Sequence, residues 1–234
     1  IQWKEQECHV TVYISNVWVW LEVLDLWDSI GSRVSTIYFP TFKRPMLPTS
    51  IGETLCSLDE NKDRFVFAMD FVYSFDDNKY TLINTPIIKQ MKIKVSKSYV
   101  YEEKALLKNK NYGHLLNITK TLTSIENSHD VVAYWMMQMN THTAKMLKTQ
   151  RIGIFRTVKG LNISPAQSSP DTIPTFVRIW EQKMAGKYVH CIENIEHQML
   201  GVAEYTHFTS PIRRLPDLLN QIWLICSVIR PTQL

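Results

Sequence analysis

Spaced cysteine pairs, an apolar stretch of bilayer length and a leader pattern are all missing from this sequence. Each absence removes a class of protein. Cys8, Cys56, Cys191 and Cys226 are scattered, with no CxxC spacing and no partnered histidines. Zinc-site spacing is therefore absent, and a disulfide framework is not expected in a chain of this size. The most apolar segment, Leu218 to Ile229, is about 12 residues long and interrupted by polar side chains, whereas a bilayer span needs roughly 20. The chain starts at Ile1, and no positively charged stretch followed by an apolar run opens it, so a signal peptide is not expected. No repeat or long low-complexity run appears. The expectation is a soluble, membrane-free protein of the cytoplasm, or of the nucleus in a eukaryote.

What is present suits a packed core. The 234 residues are 45% hydrophobic and 21% charged, the range of an ordinary globular protein. The formal charge is +4, which suits a polyanion partner without requiring one. Lys89, Lys92, Lys94, Lys97, Lys104, Lys108 and Lys110 crowd one segment, with Tyr99 and Tyr101 among them. Lysines beside aromatics can hold single-stranded RNA through phosphate contacts and base stacking. On composition alone, a solvated face is the better reading.

Val10, Val12 and Ile14 alternate as in a half-buried strand. Glu22 to Ser32 reads as a helix with Val23, Leu26, Trp27 and Ile30 on one face. Ser35 to Phe39 is a short strand stopped by Pro40, and a short helix is expected to end near Leu55. Arg64 to Phe75 alternates as a strand and returns through Tyr80 to Val95 as a hairpin. Glu102 to Asn109 reads as a short helix. Asp130 to Gln150 carries Val132, Trp135, Met136, Met139, Met146 and Leu147 at helical spacing, the strongest helical signal in the chain. Ser164 to Pro174 reads as a loop, Thr175 to Ala185 as a helix, and a last helix carries Leu215, Leu218, Leu219, Ile222, Trp223 and Cys226 along one side. Strands and helices mix without a βαβ rhythm, which sets the class as α/β or α+β.

The segment Tyr205-Thr206-His207-Phe208-Thr209-Ser210-Pro211-Ile212-Arg213-Arg214 has the parts of an anion site. Ser210 is a good helix cap and Pro211 suits the first helical position. Free amides at such a terminus attract phosphate, and Arg213 and Arg214 add forked, charged donors. Taken alone, a capped helix with arginines paired to surface carboxylates is an equal reading.

The same segment, continued by Leu215-Pro216-Asp217-Leu218, resembles the RNase II/RNB-family signature Y-T-H-F-T-S-P-I-R-R-Y-P-D-L with one tyrosine changed. Ile37 to Pro40, Pro45 to Pro48 and Leu55 to Leu58 are similar to the family's V-Y-L…P-M-L-P…L-C-S-L block. Asp63-Arg64-Phe65 fits D-R-L. Tyr99 to Glu103 resembles L-x-Y-E-E, and Met136 to Asn140 with Ala144 resembles M-x-x-x-N-x-x-x-A. The blocks occur in family order from about Cys8 to Leu219, nearly the whole chain.

The resemblance implies a single RNB-type α+β catalytic domain over residues 1–234, a mixed sheet flanked by helices around an RNA channel. It implies 3′→5′ hydrolysis of single-stranded RNA to nucleoside monophosphates. It further implies Mg2+ held by an aspartate cluster, since phosphodiester hydrolysis wants an activated water and a stabilised leaving oxygen, and hard cations need oxygen ligands. That cluster is expected just upstream of Ile1, so no metal ligand is assigned in this chain, which is taken as truncated at both ends of the domain. Arg213 matches the arginine on the scissile phosphate and is the expected catalytic residue. Tyr38, Tyr101, His207, Thr209, Ser210 and Arg214 are the expected RNA-binding residues. Departures count against full activity: Asn16 replaces the aspartate of H-I-A-D, Ala133 and Tyr134 stand where paired glutamates are usual, and Asn220-Gln221-Ile222 replaces V-H-R. A catalytically dead RNA-binding module is the alternative. RNA preference and complex partners are not legible.

Overall fold

The alternation from Asp63 onward builds a fourteen-residue strand that organises the rest of the chain. The structure, a computed structural model, describes residues 1–4, 7–30, 33–77, 79–158, 186–192 and 195–229. The loop expected at 164–174 and the helix expected at 175–185 lie outside the described residues. Strand β5 (Asp63–Asp76) pairs on one side with β2 (Glu7–Ser15), which pairs in turn with β1 (Gln2–Lys4). Its other edge is shared by β7 (Ile88–Lys94), along the first half of β5, and β6 (Lys79–Leu82), along its end. Every one of these ladders is antiparallel, whereas a mixed sheet was expected. The reason is local: β6 and β7 follow β5 closely in the chain and fold back on it, with no crossover of the length that parallel pairing needs.

β5 buries Val66, Phe67, Ala68 and Met69 in succession, because both of its faces are covered there. Phe67, Met69, Phe71 and Tyr73 meet helix α3 (Lys110–Leu122) and helix α4 (Ser128–Thr149) in the larger core. Asn127 and Asp130 form a reciprocal capping box at the start of α4. Val131, Trp135, Met139, Ala144 and Leu147 face the sheet, and Trp135 Nε1 donates to Thr119 Oγ1 of α3 at 3.0 Å. Val132, expected on this face, is exposed, and Val131 takes its place. A short helix α2 (Lys104–Leu107) precedes α3, and β8 (Ile154–Val158) pairs with β9 (Gly186–His190).

A second core joins helix α1 (Val17–Val23), the 46–56 segment and helix α5 (Leu215–Leu224) through Leu21, Met46, Leu47, Ile51, Cys56 and Leu218. The helix expected from Glu22 is displaced. Asn16 Oδ1 accepts from Val19 N at 3.2 Å and starts α1 earlier, while Asp25, at φ 50°, ends it. Of the expected stretch, Glu22 and Val23 belong to α1 and Trp27–Ser29 form a 3₁₀ turn. The short helix ending near Leu55 is a π-helical turn, Ser50–Cys56. Ile37–Tyr38 (β3) and Lys43–Arg44 (β4) make a small hairpin between α1 and this turn.

Candidate functional site

The 205–214 segment is held from several directions. Tyr205 Oη accepts from Asn140 Nδ2 at 3.0 Å, and Asn140 Oδ1 accepts from Phe208 N at 2.9 Å. Phe208 is fully buried edge-to-face against Phe67, with centroids 5.4 Å apart. Asn220, fully buried on α5, donates to Ile154 O, Thr206 Oγ1 and His207 O at 2.9, 2.7 and 3.0 Å. Its Oδ1 accepts from Ile154 N at 2.8 Å. One amide thus closes the seam between β8 and the motif.

The helix start differs from the expectation. Residues 211–213 form a turn in which Ser210 O accepts from Arg213 N and Arg214 N, each at 3.0 Å. α5 begins at Leu215, with Arg214 in the cap position and Pro216 in the first turn. The cause is Asp217, which is fully buried and accepts from Ser210 N at 2.7 Å and from Arg214 Nε and Nη2, both at 2.7 Å. Burial pushes its carboxyl up against the opposing pull of Arg214 and the Ser210 amide. A resident carboxylate therefore takes the amide and the fork that a phosphate was expected to use. The Arg213 side chain stays outside this arrangement.

Arg213 is exposed, donates from Nη2 to Ser210 Oγ at 2.8 Å, and lines a cleft of about 320 Å³. Tyr13 and Ser15 at the end of β2 form one part of its lining, Tyr38 and Lys43 of the hairpin another, and Thr209, Ser210 and Arg213 a third. Ser15 Oγ donates to Cys56 O at 2.7 Å, which ties the sheet to the π-helical turn. Gly52 permits the close approach of that turn, since a Cβ there would lie 3.1 Å from Ile212 Cγ2. Lys43 and Glu53 pair across the rim at 2.5 Å, and their exposure makes the pair worth little.

Four of the expected residues, Tyr38, Thr209, Ser210 and Arg213, thus share one cleft, and Arg214 lines the cavity beside it. Tyr101 and His207 do not line it. Tyr101 stacks on His129 with centroids 3.7 Å apart, and His207 Nδ1 is hydrogen-bonded to Tyr188 Oη at 2.7 Å. Tyr13, Lys43 and Glu53 were not singled out from sequence. Tyr13 alone left a signal there, as an aromatic on the outward side of an alternating strand. The lysine-rich segment is largely a solvated face: Lys89, Lys92 and Lys97 pair with Asp70, Asp63 and Glu60 at 3.6, 2.9 and 3.1 Å.

Burial, reinforced by Arg214, Arg156 and His197, pushes the His207 imidazole down to about 3 from 6.5. It is therefore neutral in the fold, while an unfolded chain takes up a proton below pH 6.5. Stability is expected to fall as pH drops through that window and to level off near 3. By pH 5 the loss attributable to His207 should be about 2 kcal/mol. Urea unfolding of wild type and His207→Gln at pH 7.5 and pH 5 checks this, and an equal pH dependence in both would refute it.

Among the described residues no group of three or more histidine, cysteine, aspartate or glutamate side chains is arranged to hold a metal. Asn16 is not a ligand in waiting: its Nδ2 donates to Gln90 Oε1 at 3.0 Å while its Oδ1 caps α1.

The RNB domain model matches residues 2–125 and 175–229, more than half of the chain. The chain belongs to the RNB domain family. Ribonuclease R of Mycoplasmopsis pulmonis is 25% identical over 256 residues, covering 80% of this chain and 35% of that protein. Mycoplasma genitalium RNase R in complex with double-stranded RNA superposes with a TM-score of 0.68 at 18% identity, over 97% of this chain and 53% of that one. Yeast Ssd1, described as a pseudonuclease, superposes with a TM-score of 0.77 at 14% identity, over 98% of this chain and 37% of Ssd1. The chain spans about a third of the length of the RNase R relatives it matches, 35% and 37% in two of them.

Proposed function

We propose that this chain is part of the catalytic domain of a 3′→5′ exoribonuclease acting on single-stranded RNA, and that the cleft seats the strand at its reacting end. The observation that carries this reading is the convergence of Tyr38, Thr209, Ser210 and Arg213, drawn from segments far apart in sequence, on one cleft. Arg213 grips a phosphate through its planar fork, whose charge gains value as negative charge builds during displacement. Tyr38, 62% exposed on the hairpin, offers a base-stacking face. Thr209 and Ser210 supply hydroxyls beside the phosphate. The family's Mg2+ finds no fitting ligands among the described residues, where Glu53 is the cleft's carboxylate and Lys43 already occupies it. The residues here are assigned to holding and orienting the strand, and the proposed Mg2+ to carboxylates outside the described residues. The cytoplasm is the proposed compartment.

A second reading, an RNA-binding module without hydrolysis, is favoured by Asn16, where a family carboxylate has become a helix cap. The full-length parent protein, incubated with 3′-labelled single-stranded RNA and magnesium, separates the two. Stepwise nucleotide release supports the enzyme, tight binding without release supports the module, and absence of both defeats each. Residues 1–234 alone should release little or nothing. Binding should weaken with salt, by a logarithmic slope of about 0.7 per phosphate contact, and favour single strands over duplex.

A further inference from the structure

The cleft does not end at Arg213. Thr36, Tyr38 and Arg213 also line a neighbouring cavity of about 290 Å³, together with Ser35 and Arg214. Ser35 and Arg214 in turn line a third cavity of about 400 Å³, with Val34, Tyr188, Pro216 and Leu219. Shared lining residues set the three cavities in a row, together called the groove. Two arginines lie at its middle, and one tyrosine stands on each side of them, Tyr38 from the β3–β4 hairpin and Tyr188 from β9.

Tyr188 is fixed from behind. Its hydroxyl is hydrogen-bonded to His207 Nδ1 at 2.7 Å, and its ring meets the His207 ring edge-on at 5.6 Å. The Arg156 guanidinium sits over the ring, 5.0 Å from its centroid. Arg156 is itself anchored, donating from Nη1 to Gly186 O at 2.7 Å. A side chain at 186 would displace that guanidinium from its present position. Even so, Tyr188 is 41% exposed. An aromatic held at its hydroxyl and covered on one face offers its remaining surface with little ordering cost. Beside Ser35 and Arg214, whose fork is already taken by Asp217, the cavity it borders is lined by Val34, Leu215, Pro216 and Leu219, an apolar wall that suits a base or a ribose face. The phosphate-seeking group lies one cavity away, at Arg213.

Resting on the reading that the cleft takes RNA, we propose that Tyr188 is a second base-stacking residue at the far end of this groove, and that His207 is its positioning residue. Single-stranded RNA then crosses the arginine pair with one base on Tyr38 and another on Tyr188. This gives the motif histidine a task away from the phosphate, which its neutral, half-buried state suits.

The test is affinity of the full-length protein for a short oligoadenylate, measured by fluorescence anisotropy without magnesium. Tyr188→Leu keeps bulk but not the π face, and should weaken binding about ten-fold, within the range of one base–aromatic stack. Tyr188→Phe keeps the stack and loses the His207 bond, so a two- to three-fold loss is expected. His207→Ala should weaken binding in the wild-type background and have no further effect in Tyr188→Phe. An abasic nucleotide moved along the strand should, at one position, bring wild type and Tyr188→Leu to equal affinity. A misfolded variant would instead lose affinity equally at all positions, which overturns the proposal, as does wild-type binding by Tyr188→Leu. If Tyr38→Leu weakens binding and Tyr188→Leu does not, this inference falls and the RNA cleft stands. If neither does, the cleft reading falls with it.

Discussion

Arg213→Lys in the full-length protein is expected to slow single-turnover RNA hydrolysis by roughly 10²–10³-fold, the scale of one lost donor to a developing charge. RNA affinity should fall only a few-fold. Net charge is unchanged, so long-range attraction persists, whereas an ammonium cannot present two parallel donors to two phosphate oxygens. The geometry leaves the guanidinium available: among the described residues it donates to the Ser210 hydroxyl, a weaker claim than a carboxylate's. Arg214→Lys makes a contrasting control. Arg214 is already forked onto Asp217, so its substitution should lower the unfolding midpoint more than the turnover rate. Rapid-quench turnover and equilibrium binding on both variants decide the matter. If rate and affinity fall together for Arg213→Lys, the residue only holds RNA, and its assignment to catalysis is wrong.

Asn220→Ala is expected to destabilise the chain by about 3–5 kcal/mol, from several buried polar groups at about 1–3 kcal/mol each when left unpaired. The Ile154 amide and the His207 carbonyl both depend on this one side chain. Urea unfolding measures the effect, and a loss below about 1 kcal/mol, the size of a single ordinary hydrogen bond, would mean water replaces the amide without penalty. Because Asn220 fixes the motif at Thr206 and His207, the surviving folded fraction should also bind RNA less well.

Asn220 also shows where sequence reading stops. Beside the family signature, Asn220-Gln221 reads as a loss of V-H-R, because a single sequence displays the departure and not its partners. Those partners are Ile154, 66 residues away, and Ser15, 206 residues away, and no local pattern points to them. What was legible was local: the two-residue period of β5, the 3.6-residue period of α4 and the string around Arg213. Helix α3 carries Tyr112, Leu115, Leu116, Ile118, Thr119 and Leu122 at helical spacing behind an Asn109 cap, so its signal was present and went unread. The start of α5 was misplaced for another reason. Ser210-Pro211 is a sound capping pair, but tertiary burial of Asp217 outranks it. The cleft itself was legible only as a set of residues. Its outer wall at Tyr188 needed the fold.

Gln221, fully buried on α5, donates to Ser15 O at 2.8 Å and accepts from Val17 N at 3.3 Å. That clasp joins residues 206 positions apart, and it sets an order of events on the ribosome. At about 5–20 residues per second, the chain spends roughly 10–40 seconds between the synthesis of Ser15 and that of Gln221. Through that interval the β2–β5–β7 sheet can pair, but Leu21, Met46, Leu47 and Ile51 wait for Leu218 with their apolar surface uncovered. Arg213 reaches its place beside Tyr13 only when the last helix seats. The cleft is thus incomplete in a nascent chain until synthesis has passed the last helix.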